Sequence, residues 1–293
     1  MVHQRRATKA IARRTLLAVA PVFLTGATRA FAAAPSLRDY ERAIGGRIGL
    51  FAENQATGAR IAWRADERFH MCSTFKVSLA AAILVRVDRG QDRLDAAVRF
   101  NPNDIPLHLY APVAKANLAK GALSVGELCQ GAVELSDNVC ANLLLARIGG
   151  PPALTAFWRA TGDAVSREDN YEPVSTLSRS DEDTTTPAAT AGTLRRLILG
   201  DVLSPASRER LTGWMRNCKT GLDLLRAGLP QGWIVADKTG NGGKAMLNDI
   251  AVAWPGAGQP LVICGYIDAA PDAANRVRKL MADIGALVGR EIA

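Results

Sequence analysis

The chain has 293 residues, 48% of them apolar, with 36 Lys and Arg against 28 Asp and Glu. Its formal charge of +8 is no nucleic-acid footprint, because Arg5, Arg6, Lys9, Arg13, Arg14 and Arg29 fall in an acid-free leader and the remainder carries only about +2. Five cysteines without a Cys-x-x-Cys pair, and only His70 and His108 after His3, leave little from which to build a metal centre, so neither metal nor cofactor is expected.

Residues 1–34 combine Arg13-Arg14, an apolar run over 15–23 and Ala30-Phe31-Ala32, the layout of an export signal compatible with the twin-arginine route. A periplasmic address follows. No later apolar run is long enough to span a bilayer, so stable membrane insertion is not expected. About 260 residues remain, enough for one large domain or two interleaved ones.

Ser36 is the expected cap of a helix over 37–44 that Gly45-Gly46 stops, and alternating runs over 47–53 and 59–64 around Gly58 predict a hairpin. Residues 73–89, rich in Ala, Leu and Val without Gly or Pro, predict a buried helix with Ser73 in its first turn. Helical periodicity recurs over 124–134, 138–148, 152–161 and 188–199, and again near 207–216. The polar stretch 162–187 is too long for an ordinary connection and contains Glu172-Pro173. Strands are predicted over 233–239, 249–254 and 261–267, and a last helix over 272–287. The sum is an α/β (α+β) fold: a five-stranded antiparallel sheet flanked by helices, from residues 35–65 and 208–293, plus an inserted all-α domain over 66–207. The site is expected in the cleft between the two.

Four segments carry chemistry. Ser73-Thr74-Phe75-Lys76 at a helix start sets a hydroxyl and an amine one turn apart, so Ser73 is the candidate nucleophile and Lys76 its base. A lysine works as a base only if its pKa falls, which burial near a second cation such as Lys238 achieves. Ser136-Asp137-Asn138 lies between two helices, where a turn is the plain explanation; as a functional segment, Ser136 relays a proton, Asn138 holds a substrate carbonyl and Asp137 orients the backbone. Lys-Thr-Gly occurs twice. Lys238-Thr239-Gly240 ends a strand and can project into a cleft, with Gly240, Gly242 and Gly243 admitting a ligand close to the backbone, whereas Lys219-Thr220-Gly221 sits between helices and reads as structural. Cys72 beside Ser73 reads as a small buried residue, and His70 as a packing or hydrogen-bonding one. An oxidising compartment allows up to two disulfides and leaves at least one thiol over.

The order and context of these segments resemble the class A serine β-lactamases, whose signature is Ser-x-x-Lys, Ser-Asp-Asn and Lys-Thr-Gly. Tyr110-Ala111-Pro112-Val113, Glu172-Pro173 in an omega loop over about 163–184, Asp183-Thr184-Thr185 and Asn217 with Thr220-Gly221 extend the resemblance over nearly the whole chain past the leader. It implies a small β-lactam as the partner, acylation of Ser73, Lys76 sharing base duty, protonation of the leaving nitrogen by Ser136, and Glu172 activating the deacylating water. It also implies Lys238 and Thr239 on the substrate carboxylate, the N–H groups of Ser73 and Asn241 as oxyanion hole, Asn138 on the acylamino group, Tyr110 as a cleft wall, and Arg276 or Arg278 supporting the carboxylate site. A monomer is expected.

Departures from the family pattern carry expectations of their own. Asn170 stands where the family has an arginine paired with the aspartate that closes the loop, so Asp183 is expected to lose its partner, with Arg167 or Arg179 as substitutes and a more mobile loop. Thr176 stands where an asparagine helps seat the hydrolytic water, so slower deacylation of some substrates is expected. Cys72 has Gly242 where the carbapenem-hydrolysing branch has its disulfide partner, and Cys129 has Ala80 opposite, so neither family disulfide can form. The alternatives are a penicillin-binding D-alanyl-D-alanine peptidase, against which Glu172 speaks, and a slowly turning over β-lactam-binding protein. A histidine-dependent serine hydrolase lacks its Gly-x-Ser-x-Gly elbow.

Overall fold

Side-chain alternation in the strands decides what covers each face of the sheet. The computed structural model describes residues 33–173, 181–243, 245–256 and 259–293. Strands β1 (Arg47–Asn54), β2 (Arg60–Trp63), β3 (Ile234–Gly243), β4 (Met246–Trp254) and β5 (Leu261–Asp268) form one antiparallel sheet in the order β2-β1-β5-β4-β3. Successive residues point to opposite faces, so β5 sends Val262, Cys264 and Tyr266 into one core and Leu261, Ile263 and Ile267 into another.

The second core is closed by the helices at the chain ends, α1 (Ala33–Ile44) and α8 (Val277–Glu291). The first is closed by α2 (Lys76–Asp88), α3 (Val125–Glu134), α4 (Asn138–Ile148), α5 (Pro151–Ala160), α6 (Pro187–Leu194) and α7 (Pro205–Arg216). Helix α2 is the axis of this body: every residue from Lys76 to Val85 is buried, which explains its lack of a polar face. Helix α3 starts where the sequence supplies a capping box, Ser124 accepting from the Glu127 N–H and Glu127 reaching back to the Ser124 N–H. The Asp137 side chain caps α4 through the Cys140 N–H, and left-handed Gly149 ends it.

Several predicted boundaries move. Helix α1 begins at Ala33, so Ser36 lies inside it rather than capping it, and Gly45 at φ 58° ends it. Ser73 sits in a 3-10 turn, Cys72–Phe75, ahead of α2 rather than in the α-helix itself. Strand β3 runs on through Gly240 to Gly243, with a register shift between Asn241 and Gly243. The last helix starts at Val277 because Pro271–Ala273 forms a separate 3-10 turn. Two short pairings, Phe69–His70 with Thr184–Thr185 and Ala97–Arg99 with Ala122–Ser124, have too few residues to show an alternation in the sequence.

Candidate active site

The site lies where the 3-10 turn before α2, the turn before α4, the end of β3 and the loop ahead of α6 converge. Lys76, wholly buried, is its centre. Its Nζ donates to Ser73 Oγ at 2.9 Å, to the Ser136 carbonyl at 3.0 Å and to Asn138 Oδ1 at 2.5 Å, and lies 3.2 Å from Glu172 Oε1. The Ser73 hydroxyl is in turn 3.5 Å from the same Glu172 oxygen. One carboxylate, one ammonium and one hydroxyl therefore form a closed triangle in which Ser73 Oγ accepts from Lys76 and faces Glu172, the arrangement in which a proton can leave the hydroxyl for the carboxylate.

Asp137 takes the orienting role expected of it. Its buried carboxylate accepts from the N–H groups of Val113 and Ala114 on one oxygen and of Cys140 on the other, and the Asn138 N–H donates to the Tyr110 carbonyl. These bonds tie the wall that carries Tyr110 to the start of α4. They also hold Ser136 at φ 58°, a left-handed conformation, with its hydroxyl turned to the second lysine. Lys238 Nζ donates to Ser136 Oγ at 3.0 Å and to the Thr239 carbonyl at 2.7 Å. Burial is the main cause that lowers the Lys238 pKa to about 8, and the like charge of Lys76 adds to it.

Gly240 serves a different purpose from the one the sequence suggests. A Cβ there would lie 2.7 Å from the Met71 carbonyl oxygen and 3.1 Å from Cys72 Cβ. The space beside Gly240 is thus taken by the turn that carries Ser73 rather than reserved for a ligand. Asn248 on β4 locks that turn, its Nδ2 donating to the carbonyls of His70 and Met71 at 2.9 and 3.1 Å. Cys72, buried in the same turn at φ 47°, has its thiol pushed up to about 12 by desolvation, so it is no second nucleophile. All five cysteines are free and buried.

The open part of the site is a cleft of about 470 Å³ lined by Ser73, Tyr110, Ser136, Asn138, Thr239 and Asn241, together with Lys219, Thr220, Asp223, Leu247 and Arg278. Tyr110 is 55% exposed, as a cleft wall should be. Lys219 and Thr220, read from sequence as structural, belong to this cleft, and the Thr220 hydroxyl bonds the Thr239 hydroxyl at 2.5 Å. Of the two candidate arginines Arg278 lines the cleft; Arg276 lies 4.0 Å from Asp272 one helical turn away and is not part of the lining. Among the described residues no cluster of His, Cys, Asp and Glu is arranged to hold a metal ion.

The loop bearing Glu172 is anchored by residues outside the motifs. Asn142, one turn after Asn138 on α4, accepts from the Glu172 N–H and donates to the Glu172 carbonyl, both at 2.8 Å. The Glu172-Pro173 peptide is cis. Asp183 does not lose its partner: Asn170 Nδ2 donates to its Oδ2 at 2.8 Å, while the N–H groups of Asp169 and Asn170 donate to Oδ1. A neutral amide thus replaces the expected arginine, and Arg167 pairs with Asp169 instead. Thr176 and Arg179 lie outside the described residues. Glu168 went unnoticed in the sequence. Its carboxyl is fully buried with neither oxygen hydrogen-bonded, and desolvation, followed by the charges of Asp183 and Glu172, raises its pKa well above the carboxylate range.

A five-stranded antiparallel sheet, a helical body and a Ser–Lys–carboxylate cluster between them place the chain in the β-lactamase and penicillin-binding fold class. Comparison with known proteins narrows this. A model of the beta-lactamase enzyme family matches residues 32–292. Beta-lactamase L2 of Stenotrophomonas maltophilia is 44% identical over 90% of this chain and 87% of its own, and Beta-lactamase Toho-1 of Escherichia coli is 38% identical over 94% and 95%. Among solved structures, the class A β-lactamase of the last common ancestor of Gram-negative bacteria has a TM-score of 0.84 at 47% identity, covering 88% of this chain and 98% of that one. The putative class A β-lactamase PenP of Rhodopseudomonas palustris also has a TM-score of 0.84, at 45% identity with the same coverage. The chain belongs to the class A β-lactamase family, which selects the hydrolase over the peptidase and the non-catalytic binder.

Proposed function

We propose that this enzyme opens the β-lactam amide through an acyl-enzyme on Ser73, with Lys76, Ser136, Glu172 and Lys238 as its proton-handling groups. Ser73 Oγ attacks the lactam carbonyl carbon while its proton passes to the Lys76–Glu172 pair. The oxyanion is received by the N–H groups of Ser73 and Asn241. When the tetrahedral adduct collapses, the ring C–N bond breaks and the Ser136 hydroxyl gives its proton to nitrogen. Lys238, bonded to that hydroxyl and with a pKa of about 8, can restore the proton. Deacylation reverses the roles: Glu172 takes a proton from the water that attacks the ester, and Ser73 leaves as a reprotonated hydroxyl.

Substrate is held at both ends. Lys238 and Thr239 take its carboxylate. Asn138 spends Oδ1 on Lys76, which leaves Nδ2 to donate to the acylamino carbonyl. All groups come from one chain, in keeping with a periplasmic monomer exported by the leader. No described helix is long and apolar enough to cross a membrane.

The observation that carries this reading is the single Glu172 oxygen within 3.2 Å of Lys76 Nζ and 3.5 Å of Ser73 Oγ. Mass spectrometry during incubation with a penicillin tests it. A transient adduct on the parent enzyme and a persistent one on Glu172→Ala are expected. A persistent adduct on both, or none on either, overturns it.

A further inference from the structure

The carboxylate end of the cleft carries a charged pair that the proposed reaction does not use. Arg278, in the first turn of α8, grips Asp223 side-on: Nε donates to Asp223 Oδ2 at 2.5 Å and Nη2 to Oδ1. The pairing holds Asp223 below the usual carboxylate range, so it is ionised at neutral pH. The two side chains stay 46% and 59% exposed and both line the cleft.

Their placement is fixed by the chain around them. Gly221 is pressed so hard against β3 that a Cβ would overlap the Asp237 carboxylate, and next to it Thr220 bonds Thr239. Asp223 therefore sits just beyond the residues that take the substrate carboxylate. Side-on pairing leaves Arg278 its Nη1 edge, and it uses only two of about four acceptor sites on Asp223. An exposed ion pair of this kind is weak and screened, so a ligand can compete for either member. The cleft wall thus offers a cation and an anion side by side.

In a cephalosporin, the ring carbon bearing the carboxylate is bonded to the carbon bearing the variable substituent. A carboxylate seated on Lys238 and Thr239 brings that substituent against Thr220, Asp223 and Arg278. Resting on the functional reading above, we propose that Asp223 is a selectivity residue that favours β-lactams carrying a positive charge on the substituent next to the carboxylate-bearing carbon. With the carboxylate on Lys238 and Thr239, the cation of such a zwitterion pairs with the exposed Asp223 carboxylate.

The test compares kcat/KM for two cephalosporins with the same acylamino group, one with a pyridiniummethyl and one with an acetoxymethyl substituent. Intrinsic reactivity cancels when the ratio of the two values is compared between variants. Asp223→Asn is expected to lower the cationic-to-neutral ratio about fivefold, through KM rather than kcat. Asp223→Glu is expected to restore most of the ratio. Arg278→Gln, which leaves Asp223 ionised and unpaired, is expected to raise it, and 0.5 M NaCl to flatten the difference. A ratio unchanged between parent and Asp223→Asn overturns the selectivity proposal while leaving the hydrolase intact. Failure of the parent to form an acyl-enzyme with either compound overturns the functional reading and this proposal together.

Discussion

The floor of the cleft and the loop that carries Glu172 solve the same problem, holding charge out of water, in opposite ways. On the floor, Lys76 has four oxygen partners and Lys238 two, each aimed by a helix start or a strand end. In the loop, the Asp183 carboxylate is held by an amide and two backbone N–H groups, the Glu172 backbone is bonded by Asn142, and the Glu168 carboxyl is buried with neither oxygen hydrogen-bonded. A catalytic cation is cheap to hold where rigid elements converge on it. A catalytic carboxylate on a loop depends on a few side chains that reach it from outside.

The sharpest way to break this contrast is to cut the loop's tether. Asn142→Ala removes both bonds to the Glu172 backbone without touching the floor, so acylation should persist while kcat falls about 100-fold, from a displaced carboxylate. Acylation and deacylation rates measured separately check it; equal losses in both steps would mean that Asn142 also supports the floor.

The next effect belongs to the floor alone. Lys238 has its pKa lowered to about 8, so above that pH it loses the charge proposed to receive the substrate carboxylate, and kcat/KM should fall about tenfold per pH unit on the alkaline side. The same profile for a β-lactam whose carboxylate is esterified should keep only a shallower limb, because the relay to Ser136 alone then depends on the Lys238 proton. An identical limb for the ester would remove the carboxylate contact as the cause of the fall.

The smallest expected effect on activity, though not on stability, comes from Glu168. A carboxyl whose pKa rises on folding carries no penalty below the ordinary carboxylate range, and the penalty grows as pH climbs from there towards the folded value. Glu168→Leu should therefore stabilise the protein by about 1–3 kcal/mol at pH 7 and by less at pH 4. Denaturant titrations at the two pH values measure it. Destabilisation at pH 7 would show that the loop needs this carboxyl.

Legibility in the sequence followed periodicity and local chemistry. The five strands of the main sheet and the helix over 138–148 were readable because alternation, caps and terminal glycines agreed. The two-residue pairing of Phe69–His70 with Thr184–Thr185 was not, since two residues have no period. At the site, Ser73, Lys76, Ser136, Asn138, Lys238 and Thr239 stood out through their ordered segments. Asn142 did not, because one asparagine on an apolar helix looks like any other polar residue until its helix face is known. Gly240 was misread for a similar reason: a glycine announces a close approach without saying what approaches. Lys219 and Thr220 were set aside because their neighbours in the chain are helical, whereas their neighbours in space are Thr239 and the cleft.

The backbone of Met71 standing where a Gly240 side chain would go has a consequence for how this enzyme can change under antibiotic selection. Position 240 is closed to diversification, since any larger residue would pry the strand from the nucleophile's turn. Gly243 faces open space but sits at φ 68°, which favours only residues that accept that twist. The cleft lining stays open to change at solvent-exposed side chains such as Lys219 and Asp223.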